Sequence, residues 1–352
     1  MIKCISGIQQ IGIGNPNVHE AFKWYRQNFG MDIKVFEEAA EANLMLPYTG
    51  GKPQKRHAIL ALNMKGGGGF EIWQYTSRVP QPPAFEIQLG DLGLFAACIK
   101  SVDVKGTYSF LKSKGVNILN EPMKQPNGAL SFFVKDLYGN IFQIIENDSW
   151  FGNGKQLTGG VAGAVIGVSD MERSKKFYAE LLGYDKVVYD EEGIFDDLKS
   201  LSSGNKKVRR ILLRHSKPRS GPFSKLMGNT SIELIKNYEH TPRKIFENRF
   251  WGDLGFIHLS FDVTSMAEVK RECENFGHPF TVDSASSFDM GEAAGHFSYI
   301  EDPDGYWIEF VETHKVPILK KLGLYLNLRK RNPNKALPDI IVKALALGRV
   351  ND

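Results

Sequence analysis

The sequence predicts an α+β protein in which one module occurs four times, each copy being a strand, a helix and three further strands. Two internal repeats indicate this arrangement. The segment 24–35 recurs as 177–188, with a tyrosine, a glycine and an aspartate matching at an offset of 153 residues, and the segment 136–146 recurs as 302–312. The chain therefore contains two related halves, and each half contains two modules.

The first module occupies the start of the chain. Apolar residues fall at helical spacing from Val18 to Phe29, and Gly30 ends this predicted helix. Three strands are predicted to follow, at 32–37, 57–64 and 70–76. Residues 66–69 are four consecutive glycines. Because a strand and not a helix follows them, we expect a hairpin connection and not a phosphate-binding loop.

The other three modules repeat this order of elements. The second is predicted at strand 94–100, helix 105–114 and strands 130–134 and 140–146. The third is predicted at strand 161–168, helix 173–182 and strands near 186, 210 and 232, and the fourth at strand 256–263, helix 266–276 and last strand 306–312. We therefore divide the chain into an N-terminal domain 1–152, a C-terminal domain 153–314 and a basic, partly helical tail 315–352 with a last short helix at 340–347.

The composition indicates a soluble globular protein. Of the 352 residues, 42% are hydrophobic and 24% are charged, which excludes disordered and collagen-like chains. No apolar run approaches the roughly 18 residues of a membrane-spanning helix. The N-terminus has no signal-peptide pattern, so we expect a cytoplasmic protein. The three cysteines, Cys4, Cys98 and Cys273, lie far apart, which argues against a disulfide framework and a zinc ribbon.

The net charge of +4 is unevenly distributed along the chain. Residues 315–352 contain nine Lys or Arg residues against Asp339 and Asp352, so the tail carries +7 and the rest of the chain −3. A nearly neutral body offers no basic face, and we expect no nucleic-acid partner. We expect the tail to pack across the protein's own surface, with weak attachment to a membrane surface as the alternative.

Three local motifs identify a family resemblance, namely Trp24-Tyr25-x4-Gly30, Phe177-Tyr178-x4-Gly183 and Asp302-Pro-Asp-Gly305-x3-Glu309. With four modules in this order, the chain resembles the vicinal oxygen chelate superfamily, which includes glyoxalase I, methylmalonyl-CoA epimerase, extradiol dioxygenases and bleomycin-resistance proteins. The resemblance covers about residues 5–314 and implies two tandem glyoxalase-like domains of curved mixed sheets. It also implies a divalent metal ion in a cup of paired sheets, with ligands from the first and last strand of each module.

Those two strand positions can be placed in every module. In modules one to four they are Gln10 and Glu71, Ala96 and Gln143, Gly163 and Glu233, and His258 and Glu309. Modules two and three have lost donors, because alanine and glycine cannot ligate through a side chain, whereas modules one and four have kept theirs. Glu146 and Glu312 fall on the opposite face of their strands and are expected to be solvated.

Two ways of pairing the modules remain open. If modules one and four share a cup, as in four-module glyoxalase-like enzymes, that cup receives Gln10, Glu71, His258 and Glu309, and the other cup has too few donors. If the modules pair within each half, the C-terminal cup instead combines Glu233 with His258 and Glu309. Both pairings place His258 and Glu309 in the site.

The donor types suit one six-coordinate divalent ion, such as Zn, Ni, Co, Mn or Fe(II). An ion of this kind binds two vicinal oxygens of a substrate and stabilises an enolate. The resemblance to glyoxalase I implies that a carboxylate beside the metal, Glu309 or Glu71, moves the proton next to the carbonyl. The residues expected to line the cup or support its ligands are Trp73, Tyr75, Trp307, His296 and Tyr299.

These features predict a metal-dependent isomerase, epimerase or lyase acting on a small α-hydroxycarbonyl or 2-oxo substrate. Gly163 stands where extradiol dioxygenases carry a histidine, which disfavours that alternative, and Gly14 stands where glyoxalase I carries an arginine for glutathione. A second alternative is a binding protein that sequesters a small molecule without a metal. A four-module chain can complete its own cups, so we expect a monomer or a homodimer.

Overall fold

The computed structural model describes residues 3–285, 288–289, 294–319 and 324–351. Within these residues, the strands form two nine-stranded mixed sheets and one two-stranded hairpin, and the helices pack against the sheets. The architecture is the α+β arrangement of curved sheets predicted from the repeats.

The first sheet combines modules one and four. Its strand order is β15-β17-β18-β14-β1-β4-β3-β2, with β16 paired to β17. The strands are β1 (Cys4–Gly14), β2 (Ile33–Glu41), β3 (Lys55–Leu62), β4 (Gly69–Tyr75), β14 (Gly255–Thr264), β15 (Val282–Asp283), β16 (Phe288–Asp289), β17 (Ala294–Glu301) and β18 (Trp307–Thr313). The four-glycine segment lies in the connection between the antiparallel strands β3 and β4, as predicted.

The second sheet combines modules two and three. Its order is β11-β12-β13-β10-β5-β9-β8-β6, with β7 paired to β8. The strands are β5 (Gly93–Ser101), β6 (Asn117–Ile118), β7 (Met123–Lys124), β8 (Leu130–Lys135), β9 (Ile141–Glu146), β10 (Thr158–Gly167), β11 (Lys186–Gly193), β12 (Val208–Arg214) and β13 (Ser231–Asn237). The sequence left two pairings of the modules open. The structure pairs module one with module four and module two with module three.

Each module contributes one helix. These helices are α1 (Val18–Phe29), α2 (Val104–Ser113), α3 (Met171–Lys176), which continues as a π-helical turn over Phe177–Leu181, and α5 (Met266–Asn275); a short helix α4 (Ser224–Met227) precedes β13. Gly30 ends α1 with φ of 65°, which favours glycine because a Cβ is strained there. The prediction that Glu312 is solvated was wrong. This side chain is half-buried and accepts a hydrogen bond from the N–H of Ser265 at 2.7 Å, at the start of α5.

The repeated tyrosines and aspartates join the two sheets. Tyr25 on α1 donates to Asp136 at 2.6 Å, and Tyr178 in the third module donates to Asp302 at 2.9 Å. Each bond connects a helix of one module to the turn before the last strand of the next module in the chain. Modules one and two belong to different sheets, and so do modules three and four, so these bonds fasten one sheet to the other inside a continuous apolar core.

The tail folds back onto the body. It contains the hairpin β19 (Lys315–Leu319) and β20 (Leu324–Asn327), then the helix α6 (Asp339–Lys343) and a 3₁₀ turn over Ala344–Gly348. Val316, Leu337 and Val342 are buried in one cluster with residues of β2, β3 and α4. The tail therefore packs on the protein's own surface, as expected. None of the helices in the described part of the chain has the length and apolar character needed to cross a lipid bilayer.

Candidate metal centre

The first and last strands of all four modules run parallel in one common register. The neighbours are Gly12 and Glu71, Cys98 and Gln143, Val165 and Glu233, and Ser260 and Glu309. The residue two positions earlier on each first strand lies on the same face of the sheet. Those residues are Gln10, Ala96, Gly163 and His258. The structure therefore places the eight positions considered in the sequence at equivalent points of their modules.

Four polar side chains meet in the first cup, which modules one and four form. The Nε2 atom of His258 lies 3.4 Å from Oε2 of Glu71 and 3.2 Å from Oε2 of Glu309. The amide of Gln10 approaches the same two carboxylate oxygens at 3.3 Å and 3.4 Å. All four residues are buried. We call Gln10, Glu71, His258 and Glu309 the donor cluster.

The donor cluster fits a divalent cation. Two ligands about 2.1 Å from one ion and about 90–110° apart are about 3.0–3.4 Å from each other, which matches the spacing of these atoms. Among the described residues, the buried Nε2 atom of His258 finds no hydrogen bond of good geometry, although both carboxylates are close. The two oxygens and the nitrogen are thus arranged around a common point. Rotation of its terminal amide group lets Gln10 present its oxygen there.

The charges of the donor cluster favour a cation at its centre. Burial opposes the imidazolium form, but Glu309 and Glu71 outweigh burial and raise the pKa of His258 to about 9. Burial likewise favours the neutral form of Glu309, but attraction to His258 outweighs it and lowers the pKa of this carboxyl. Two buried carboxylates with one imidazole are therefore stabilised by a positive charge, whether a proton or a metal ion supplies it.

Two aromatic residues support the cluster. The hydroxyl of Tyr299 donates to Oε1 of Glu309 at 2.7 Å and lies 3.5 Å from Nδ1 of His258. This bond leaves Oε2 of Glu309 directed at the other donors. The indole of Trp251 stacks on the imidazole of His258, with ring centroids 6.0 Å apart and planes within 7° of parallel. These contacts hold the carboxylate of Glu309 and the imidazole of His258 in fixed orientations.

The other residues expected around the cup lie at different distances from the cluster. Trp73 shares a cavity wall with Glu71 and Tyr299. Tyr75 does not line this cavity, and its hydroxyl donates to the backbone carbonyl of Trp251. Trp307 packs against Tyr48 and Phe246 and lines another cavity.

His296 lies away from the donor cluster. It is three residues from Tyr299 on β17, and side chains on a strand alternate between faces, so it lies on the opposite face from Tyr299. Its imidazole contacts Asp283 at 2.6 Å. The structure therefore does not bring His296 to the donor cluster, and its partner is the partly buried Asp283 instead.

An internal ion pair replaces the donor cluster in the second cup. Glu233, the equivalent of Glu71, accepts a hydrogen bond from Nε of Arg210 at 2.6 Å, and Nη1 of Arg210 donates to both oxygens of Asp197 at 2.9 Å. The hydroxyl of Tyr189 also donates to Glu233, at 2.7 Å. Arg210 is fully buried. A guanidinium therefore supplies the positive charge beside Glu233.

One further group of potential ligands lies on the surface. Oε1 of Glu37 is 3.1 Å from Nε2 of His57 and 3.6 Å from Nε2 of His19. The other carboxylate oxygen accepts from Lys34 at 2.6 Å. Because Lys34 already balances this exposed carboxylate, the buried cluster is the better candidate for a metal centre.

Two cavities border the donor cluster, and both have Glu71, Phe297 and Glu309 in their walls. One, of about 290 Å³, is lined by Trp73, Trp251 and the segment after β2. The other, of about 150 Å³, extends toward the tail. A small molecule that binds at the cluster therefore has space on two sides.

Sequence reasoning missed two residues of this site. Gly12 lies opposite His258 in the antiparallel pair β1/β14 and leaves room for the imidazole. Trp251 lies between β13 and β14, in a connection whose sequence has no strand or helix pattern. The glycine could have been found from strand pairing, whereas no signal in the sequence places the tryptophan over the histidine.

Comparisons with known proteins agree with this architecture. The family model described as the glyoxalase/bleomycin resistance protein/dioxygenase superfamily matches residues 7–144 and 160–310. Glyoxalase I from Zea mays is similar in structure, with 17% identity over 88% of this chain and 92% of the other, and a TM-score of 0.54. A Bacillus subtilis protein described as a candidate dioxygenase has 12% identity over 88% and 86% of the two chains and a TM-score of 0.57.

At these identities, the structural similarities establish the fold alone. No curated protein sequence matches the chain. The family model, however, matches one region in each half of the chain, and the two regions together cover more than half of the residues. The chain therefore belongs to the glyoxalase/bleomycin resistance protein/dioxygenase superfamily, with two tandem glyoxalase domains.

Proposed function

We propose that this chain is a divalent-metal-dependent isomerase, epimerase or lyase that moves a proton next to a carbonyl group. Its substrate is a small α-hydroxycarbonyl or 2-oxo compound with two vicinal oxygens. The observation that carries the proposal is the donor cluster, in which one imidazole, two carboxylates and one amide from both halves of the chain meet in a buried cup.

The residues of the donor cluster have separate parts in this proposal. Gln10, Glu71, His258 and Glu309 hold one ion, and Zn, Ni, Co, Mn and Fe(II) all accept such a mixture of oxygen and nitrogen ligands. When bound, the ion supplies a Lewis acid that stabilises negative charge on the substrate oxygens. Burial of the cluster excludes bulk water from the reacting atoms.

Glu71 is the better placed of the two carboxylates to carry the proton. Glu309 is held through Oε1 by Tyr299. The contacts of Glu71 with Gln10 and His258 both involve Oε2, so Oε1 faces the cavities that its side chain borders. A carboxylate at this point can accept a proton from a carbon next to a carbonyl and return it to the neighbouring carbon.

Two other functions make different demands on the site. Fe(II) dioxygenases typically use two histidines and one carboxylate, and the donor cluster contains one imidazole. A protein that only sequesters a small molecule needs aromatic walls but no set of ligands, whereas here two carboxylates are buried around a histidine nitrogen. Both observations favour the proton-transfer reaction.

Proton exchange tests the proposal directly. We expect the protein loaded with Ni, Co, Zn or Mn to catalyse solvent deuterium incorporation next to the carbonyl in members of a panel of α-hydroxycarbonyl and 2-oxo compounds, followed by proton NMR. Glu71→Gln should abolish exchange, whereas Glu233→Gln, at the equivalent position of the second cup, should retain it. Oxygen consumption with Fe(II) and a catechol would instead identify a dioxygenase. Binding without either reaction would identify a sequestering protein.

A further inference from the structure

The smaller cavity beside the donor cluster is an apolar chamber built from distant parts of the chain. Besides Glu71 and Glu309, its wall includes Val35 and Leu60 of β2 and β3, Phe223 and Met227 near α4, and Val316 and Leu345 of the tail. Its volume is about 150 Å³. The donor cluster therefore opens on one side into a space whose walls are mostly hydrocarbon.

The tail is fixed where it closes this chamber. The N–H of Val350 donates to the carbonyl of Asp32 at 2.8 Å, and Arg349 forms an ion pair with the Asp32 carboxylate. Farther back, the N–H of Leu337 donates to the carbonyl of Pro222 at 2.9 Å. These bonds attach the tail to the residue before β2 and to the segment leading into α4, and both regions contribute to the chamber wall.

The size and polarity of the chamber indicate what it takes. A cavity of about 150 Å³ lined by aliphatic and aromatic side chains holds benzene in another protein. A charged or strongly hydrated group would lose most of its hydration against these walls, whose polar side chains outside the donor cluster are Gln9, Thr313 and Lys315. The chamber therefore suits a phenyl ring or a branched alkyl group of similar size.

We propose that the substrate carries a phenyl-sized apolar group next to its two vicinal oxygens, and that the C-terminal tail completes the pocket for this group. The inference rests on the proposed metal centre, because the oxygens are placed at the donor cluster while the apolar group enters the chamber. Leu345 and Val316 are then specificity-determining residues, although they lie outside both glyoxalase domains.

Hydroxamates test this proposal, since they chelate a metal through two vicinal oxygens and carry a variable substituent. We expect the Ni-loaded full-length chain to bind benzohydroxamate about 30-fold more tightly than acetohydroxamate by calorimetry, from the additional apolar surface that is buried. Leu345→Trp fills the chamber and should remove most of this preference by weakening the binding of benzohydroxamate. Leu345→Ala enlarges the chamber and should shift the preference toward a naphthyl substituent.

Leu347→Trp is the matched control, because Leu347 is two residues away in the same turn and is 73% exposed. It should bind both hydroxamates as the unmodified chain does. Equal affinity of the unmodified chain for both hydroxamates, or a phenyl preference that survives Leu345→Trp, would overturn the proposal while leaving the metal centre intact. A chain that binds no Ni would overturn the metal centre, and this inference with it.

Discussion

Gly12 lies opposite His258 in the antiparallel pair of β1 and β14, and the imidazole occupies the space that a side chain at Gly12 would need. A Cβ atom on Gly12 would lie 2.4 Å from Cε1 of His258, which is far closer than carbon atoms approach in proteins. The imidazole is buried, stacked on Trp251 and surrounded by carboxylates, so it has little room to move. The orientation of His258 thus depends on a glycine of the other half of the chain.

Replacing Gly12 should weaken metal binding. We expect Gly12→Ala to displace the imidazole and to lower the affinity for Ni or Zn by about 10-fold to 100-fold, the range seen when the groups that orient a ligand are lost. Competition with a metal-binding dye measures this change. Gly193→Ala is a suitable control, because a Cβ there would come no closer than 3.9 Å to another residue. If Gly12→Ala and Gly193→Ala bind the metal equally well, the imidazole of His258 does not need the space that Gly12 leaves open.

The hydroxyl of Tyr299 should act through Glu309. Tyr299→Phe removes the hydrogen bond to Oε1 and lets the carboxylate rotate, so we expect metal affinity to fall about 10-fold. Tyr306→Phe provides a control, since the hydroxyl of Tyr306 is buried and makes no hydrogen bond within the described part of the chain. That variant should keep full affinity. If Tyr299→Phe also keeps full affinity, Glu309 is positioned by other contacts.

Arg210 should be essential for stability because it neutralises two buried carboxylates. We expect Arg210→Met to lower the free energy of unfolding by about 3–5 kcal/mol, since it leaves Glu233 and Asp197 without their cation. Arg209→Met is the control: its ion pairs with Asp190 and Glu172 involve more exposed side chains and should contribute less than about 1 kcal/mol. Urea unfolding of both variants measures the difference. A similar small loss for both would mean that Arg210 is not required in the second cup.

Asp262 should make the protein less stable as the pH rises. Burial, with a contribution from the charge of Glu312, raises the pKa of Asp262 to about 7 from its ordinary value of 3.8. Its Oδ2 atom is buried and has no hydrogen-bond partner among the residues that the structure describes. Between these two values the folded chain keeps a proton that the unfolded chain has released. Each pH unit in this interval therefore removes about 1.4 kcal/mol from the free energy of unfolding.

Asp262→Asn removes this titration while preserving the shape of the side chain. The variant should be more stable than the unmodified chain at pH 8, and the difference between the two should shrink as the pH falls from 7 to 4. Urea unfolding at a series of pH values measures the difference, in which the contributions of other groups largely cancel. Lower stability of the variant at pH 8 would indicate that Asp262 is ionised and stabilised by a partner.

The repeated motifs were sufficient to predict the module and its fourfold repetition. Their tyrosines and aspartates recur because they make the same bond twice, Tyr25 with Asp136 and Tyr178 with Asp302. The pairing of modules could not be decided in this way, since both pairings satisfy the same local patterns. It depends on the contact of β1 with β14, whose residues are about 250 positions apart in the chain.

The site was predictable to the extent that strand geometry determines it. The resemblance to the vicinal oxygen chelate superfamily pointed to the first and last strands of each module, and Gln10, Glu71, His258 and Glu309 occupy those strands in modules one and four. Alternation along β17 also places His296 and Tyr299 on opposite faces, a distinction that the sequence prediction overlooked. Trp251 and Leu345 could not be predicted, because one lies in an irregular connection and the other in a tail whose docking depends on tertiary packing.

The metal content of the purified protein is the most direct measure of whether the donor cluster holds an ion. Elemental analysis should compare the unmodified chain with Glu71→Gln and Glu233→Gln after incubation with Ni or Zn and removal of the excess. We expect about one ion per chain in the unmodified protein and in Glu233→Gln, and loss of that ion in Glu71→Gln. An ion that is kept in Glu71→Gln, or a chain that binds none under any of these conditions, would contradict the assignment of the donor cluster as a metal centre.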